Sequence, residues 1–158
     1  MGNYKNLETE FIERTLHLIS QYESQMNRYP FAEQYNYTLL INCLLGIIVL
    51  PKEKTIRFLP NDRLTIGLLK DMGIKESQIN SNIKDLRSLV IQLRHCIAHF
   101  DISFESEGDD FLINKILFKD EENGAEILVA SFIPEELLSF IRYYGNWVIY
   151  NIRKYQLE

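Results

Sequence analysis

A chain of 158 residues with 46% apolar and 25% charged residues is long enough to bury a core and too balanced for a disordered or fibrous class. Its net charge of −5 argues against a broad basic face for non-specific duplex binding, although one or two arginines in a cleft still suffice for a local phosphate site. Seven glycines and four prolines leave little material for linkers, so a single domain over residues 1–158 is expected.

The first thirty residues carry Glu8, Glu10 and Glu13 and no apolar leader segment, which leads us to expect a cytoplasmic protein. Over residues 4–28, Leu7, Phe11, Thr15, Leu18, Tyr22 and Met26 recur at spacings of three and four and predict a first amphipathic helix, ended by Pro30. His17, among Glu and Leu on that helix, reads as a surface or flank histidine. A second helix is predicted from Phe31 to Leu50, stopped by Pro51, and its second half is apolar on nearly all sides, as for a central buried helix. The most apolar run, Leu39–Leu50, is interrupted by Asn42 and falls short of the roughly 20 residues a bilayer crossing needs. Asn36-Tyr37-Thr38 matches a glycosylation acceptor, but it sits in an apparent helix and is set aside. Gly46 either admits a close helix–helix crossing or is an ordinary tolerated glycine.

Residues 51–75 read as a connection made locally basic by Lys52, Lys54, Arg57 and Arg63, either a solvated loop or the path of an anionic ligand. Within it, Thr65–Met72 predicts a short helix closed by Gly73. A third long helix is predicted from Ser77 to His99, because Ile79, Ile83, Leu86, Val90, Leu93 and Ile97 alternate four and three apart. The period then changes. Ile102-Ser103-Phe104, a turn at Gly108-Asp109-Asp110, a strand over Phe111–Lys119, an Asn123-Gly124 hairpin signal and a strand over Ala125–Phe132 predict a three-stranded antiparallel meander. Pro134, followed by Glu135 and Glu136, opens a last helix carrying Leu137, Leu138, Ile141, Tyr144, Trp147, Val148 and Ile152. The predicted fold class is mainly α: a bundle of four main helices with a small three-stranded meander between the third and fourth.

Chemistry concentrates at the end of the third helix, in Arg94-His95-Cys96-Ile97-Ala98-His99. At 100° per residue the seam of Leu86, Val90, Leu93 and Ile97 faces the core. His95 and His99 share a face roughly opposite it, and Arg94 lies on the flank with Arg87, Ile91 and Ala98. His99 stands in the last turn, where the negative end of the helix dipole favours imidazolium. Arg94 has a planar, permanently charged fork matched to phosphate oxygens. An imidazole that moves protons and a guanidinium that holds a phosphate are what RNA cleavage without a metal requires; surface residues at a helix end are the plain alternative.

Other candidates point elsewhere. Cys43 and Cys96 lack metal-ligand spacing and read as reduced core or flank thiols, with no zinc site. Tyr143, Tyr144, Trp147 and Tyr150 have the composition of a base-stacking platform, but at helical spacing they read as core and interface packing. Asp109, Asp110 and Asp120-Glu121-Glu122 read as solvated acids at meander turns. No phosphate loop, metal triad or nucleophile elbow is present, and no cofactor is expected.

Arg94–His99 resembles the R-x-x-x-x-H signature of the HEPN superfamily, small helical-bundle domains of toxins, CRISPR effectors and phage-defence proteins. The polar His95 after the arginine, Leu93 before it and Ala98 inside it fit that pattern. The stretch Leu40–Glu53 is similar to a segment of the standalone plasmid-type HEPN proteins of bacteria. The resemblance implies an HEPN-like bundle and an endoribonuclease active as a homodimer, with two motifs forming one composite site on single-stranded or tRNA-like RNA. It implies that Arg94 contacts the scissile phosphate, that His99 acts as general acid or base, and that His95 orients one of them or holds RNA. The three strands between motif helix and last helix depart from the simplest four-helix version. Two alternatives stand beside the toxin or phage-defence ribonuclease: a non-catalytic HEPN module binding RNA, a nucleotide or a protein partner such as an antitoxin, and a helical interaction protein from a toxin–antitoxin pair. Ile91, apolar on the outward flank, suits a surface covered by a partner.

Overall fold

The computed structural model describes residues 3–49, 61–106, 112–122 and 124–156. The expected turn at Gly108–Asp110, the stop at Pro51 and the cations Lys52, Lys54 and Arg57 lie outside the described residues. The chain divides into two compact units, Met1–Phe58 with Tyr144–Glu158, and Leu59–Tyr143. The last helix, α5 (Pro134–Gln156), supplies residues to both.

In the first unit, α1 (Leu7–Met26) begins at Asn6, whose side chain accepts the backbone N–H of Thr9. Glu10 reaches back to accept the N–H groups of Lys5 and Asn6 at 2.9 and 3.1 Å, completing the capping of the first turn. The buried stripe of α1 passes through Ile12 and Ile19, whereas Leu7 and Leu18 of the expected seam are exposed. The reason is tertiary: Gly145 of α5 comes so close that a Cβ there would lie 3.2–3.3 Å from Leu16 and Ile12.

The expected second helix is three pieces: a 3-10 turn at Phe31–Glu33, α2 (Asn36–Leu44) and a π turn at Leu45–Val49. The break coincides with Tyr35, whose N–H donates to the Tyr22 hydroxyl at 2.6 Å rather than to a helical carbonyl. The apolar half is buried as expected, through Leu40, Ile41, Cys43, Leu44, Ile47 and Ile48. Gly46 does mark a close crossing, since a Cβ there would meet the Phe11 ring at 3.0 Å. Among the described residues no helix is long and apolar enough to cross a membrane.

The second unit holds α3 (Ile66–Asp71), β1 (Gln78–Ile79), α4 (Leu86–His99), β2 (Ile102–Glu105), β3 (Lys115–Glu122), β4 (Ala125–Phe132) and the start of α5. Its sheet is antiparallel and four-stranded, in the order β1-β4-β3-β2, so the expected three-stranded meander is corrected to four strands, in a mixed fold whose larger part remains helical as expected. The extra strand comes out of the expected third helix. Gln78 and Ile79 pair with Ser131 and Ala130 of β4, a turn follows at Asn80–Ile83, and the helix starts only after Asp85. The second strand also moves, from the expected Phe111–Lys119 to Lys115–Glu122.

A register shift between Phe118 and Lys119 takes the pairing from Ala130 to Leu128, leaving Val129 as the extra residue of a bulge. Asn80 secures it: its backbone N–H donates to the Val129 carbonyl at 2.9 Å and its side chain to that of Leu128 at 2.8 Å. The Glu122–Ala125 pair leaves a two-residue loop, with Gly124 at φ 79° supplying the left-handed turn that Asn-Gly signals. The core face of the sheet meets α4 through β3 and β4. Leu86, Leu89, Val90, Leu93 and Ile97 are buried there with Ile116, Phe118 and Phe132. Phe118 meets Phe132 edge-on at 5.9 Å, and Phe132 stacks on Phe140 at 5.7 Å.

Candidate active site

The motif helix α4 is capped at both ends. Asp85 accepts the Ser88 N–H and hydroxyl, each at 2.8 Å. At the other end, Phe100 adopts a left-handed conformation (φ 61°, ψ 30°), and the Asp101 N–H returns to the Cys96 carbonyl at 2.8 Å. A glycine is the usual residue at such a cap; here it is an aromatic ring, 73% exposed, directly after His99.

The three motif residues stand as the helical geometry predicts. Leu93, Cys96 and Ile97 are buried, His95 and His99 are exposed, and Arg94 is half-buried between the two faces. The imidazoles of His95 and His99 lie 4.3 Å apart, centroid to centroid, at 51°. Among the described residues no hydrogen bond or ion pair joins Arg94 to either ring or to a carboxylate. Ile91 is 43% exposed and Ala98 is exposed on the same flank, so that side of α4 carries an apolar surface beside the guanidinium.

One member of this cluster was missed from the sequence. Asp120 of β3, expected to be a solvated turn acid, brings its Oδ1 to 3.5 Å from His95 Nε2 and is mostly shielded from solvent. The expected strand end at Lys119 hid it: only with β3 set at Lys115–Glu122 does Asp120 continue the core-face alternation of the fully buried Ile116 and Phe118. The opposite chemistry surrounds the neighbouring cavity, about 500 Å³, lined by Phe100, Asp101, Ser103, Asp120, Glu121 and Glu126 among others. Its one lysine, Lys119, is paired with Glu126 at 2.8 Å. The carboxylates of the cavity therefore disfavour phosphate, whereas Arg94 offers it a guanidinium.

The remaining candidates carry no chemistry of this kind. Cys96 is buried under the site, and burial, with the charges of Asp120 and Asp101, pushes its thiol up to about 12. Burial pushes Cys43 up to about 11. Tyr144 is buried, Tyr143 and Trp147 are half-buried and Tyr150 is exposed along α5. His17 is exposed on α1, within the first unit. Among the described residues no group of three His, Cys, Asp or Glu is placed to hold a metal ion.

No curated protein and no solved structure matches the chain. One family does, over residues 1–155, described as HEPN pEK499 p136. That match runs through α4 and its Arg94–His99 motif and covers nearly the whole sequence, and the chain therefore belongs to the HEPN pEK499 p136 family, within the HEPN superfamily.

Proposed function

We propose that this protein is a metal-independent endoribonuclease whose site forms when two copies bring their motifs together. The observation that carries the reading is the outward display of a half-buried Arg94 and an exposed His99 on one capped helix end, with no carboxylate neutralising the guanidinium among the described residues. In the reaction the ribose 2′-OH attacks the adjacent phosphorus and the bond to the 5′-oxygen breaks. A base takes the 2′-hydroxyl proton and an acid returns one to the leaving 5′-oxygen, giving a 2′,3′-cyclic phosphate. Arg94 holds the phosphate and offsets charge on its equatorial oxygens. His99 serves as one proton-transfer group, and the motif of the second copy supplies the complementary one. One HEPN match running across both compact units supports reading residues 1–155 as one functional domain, and the apolar Ile91 flank beside Arg94 supports a face covered by a second copy. Toxin or phage-defence activity on single-stranded or tRNA-like RNA in the cytoplasm follows as the biological setting of that reading.

The test is cleavage of RNA by the purified protein, together with its mass in solution. We expect a dimer, and a loss of about 10²–10⁴-fold in cleavage for His99→Ala and for Arg94→Ala with dimerisation retained. Intact RNA with the wild type, or a strictly monomeric protein, overturns the proposal. A specific observation favours a second reading, a non-catalytic HEPN module with a protein partner: the acid-lined cavity beside the motif, in a chain of net charge −5, suits a basic protein segment such as an antitoxin better than RNA. A dimer that leaves RNA untouched and captures such a partner supports that reading instead.

A further inference from the structure

The sheet strand β3 reaches the motif by a short route. Lys119 N–H donates to the Asp101 carbonyl at 3.0 Å, and Asp101 stands two residues beyond His99. The next residue, Asp120, is thereby brought beside the last turn of α4 on the face that Ile116 and Phe118 bury. The bulge at Val129 lies opposite this point and keeps Asp120 paired with Ile127 while the rest of the ladder stays in register. Its carboxylate then faces His95 Nε2 at 3.5 Å, and the His95 ring touches that of His99 at 4.3 Å.

Resting on the ribonuclease reading above, we propose that Asp120 is a positioning residue, which holds His95 by Nε2 so that the His95 ring forms a fixed wall against which His99 is oriented for proton transfer. A carboxylate at Nε2 keeps the proton of the neutral ring on that nitrogen, as second-layer carboxylates do for other functional histidines. His95, with Nε2 turned to Asp120, is not the ring that exchanges protons with substrate through that atom. His99 is left with that task, and its ring torsion is limited by the neighbour one turn away. The assignment gives the sheet a role that a bare four-helix bundle lacks: it supplies the group that braces the motif from outside the motif helix.

The chain has three histidines, so long-range ¹H–¹⁵N spectra resolve each imidazole, with His17 of the other unit as internal control. In the wild type, on the alkaline side of the imidazole range, we expect the His95 nitrogens to show protonation at Nε2. Asp120→Ala should change that pattern to a mixture and move the His99 nitrogens, leaving His17 still. Asp120→Asn, whose carbonyl oxygen still accepts, should preserve it. In RNA cleavage Asp120→Ala should lower kcat by about tenfold with KM changed less than about twofold, and Asp120→Asn should recover most of the loss. An unchanged His95 pattern in Asp120→Ala, or an Asn variant no better than Ala, overturns the proposal. If the wild type cleaves no RNA yet the His95 and His99 nitrogens respond to Asp120→Ala, the bracing stands and the ribonuclease reading alone falls.

Discussion

Replacing Asp85 by alanine removes the cap of the helix that displays the motif, and its effect can be worked from the contacts. Asp85 Oδ1 accepts the Ser88 N–H and Oδ2 the Ser88 hydroxyl, both at 2.8 Å. Losing an N-cap acceptor costs about 1 kcal/mol, and losing a carboxylate at the positive end of the helix dipole about a further 0.5. The Ser88 hydroxyl is only part-buried, so water replaces the lost partner and it adds little. The expected loss for Asp85→Ala is about 1.5 kcal/mol, or a Tm lower by roughly 3–6 °C for a chain of this length. Asp85→Asn keeps the acceptor and loses only the charge, so about 0.5 kcal/mol is expected. The pH dependence gives a second check. The backbone N–H of Ser88, then its hydroxyl, holds the Asp85 carboxyl below the ordinary carboxylate range. A depressed folded value stabilises at pH above the unfolded value, and that contribution disappears as pH falls through the folded value. The gap between wild type and Asp85→Asn should therefore close on acidification, measured by thermal melts at several pH values. An Asp85→Ala loss under about 0.5 kcal/mol at neutral pH, or a wild-type-to-Asn gap that stays constant into the acid range, would refute the reasoning.

Gly73→Ala should cost about 2–4 kcal/mol in denaturant melts, because φ is 78° and the new Cβ would sit 2.5 Å from Ser139 Cβ. Adding Ser139→Gly should recover the steric part and leave the backbone part. Glu136 accepts backbone N–H groups of Glu76 and Ser77 at 2.8–3.2 Å. Burial pushes its carboxyl up, but the Ser77 hydroxyl and the backbone N–H groups of Ser77, Lys75 and Glu76 more than offset this and hold it below its ordinary value. Glu136→Gln should thus lower Tm at neutral pH, with the deficit vanishing as pH falls through that depressed value. Cys43 and Cys96 should resist an alkylating reagent at neutral pH in the native protein and react in denaturant, since burial holds both as thiols; stoichiometric alkylation of the folded chain, read by mass, would contradict their placement.

What the sequence made legible was local. Arg94, His95 and His99 could be placed on an outward face from spacing alone, because α4 is long, amphipathic and ends in a left-handed cap just where the period changes. The hairpin at Asn123-Gly124 and the start of the last helix at Pro134 were legible for the same reason, that each is fixed by the backbone preferences of one or two residues. The start of α4 was not. Ile79 and Ile83 continue the helical spacing by coincidence, and only the turn-forming run Asn80-Ser81-Asn82 and the capping Asp85 argue against it. Asn80 is spent on the carbonyls of Leu128 and Val129, partners nearly fifty residues away that no local pattern announces.

Asp120 shows where that limit bears on function. With the strand set at Phe111–Lys119, Asp120 falls just past its end and looks like an ordinary turn acid. With β3 at Lys115–Glu122 the same residue becomes the third inward position after Ile116 and Phe118. A displacement of a few residues in one strand boundary thus decides whether a carboxylate is solvated or braces a motif histidine at 3.5 Å. The motif is short because its members lie within two turns of one helix, and spacing can find it. The groups that hold such a motif rigid come from whichever element packs across it, so their positions depend on tertiary register. For this chain the bracing element is the sheet that the simplest four-helix bundle lacks. In relatives sharing that sheet, the residue at the inward end of the β3 row is therefore the one to substitute when testing how the motif is held.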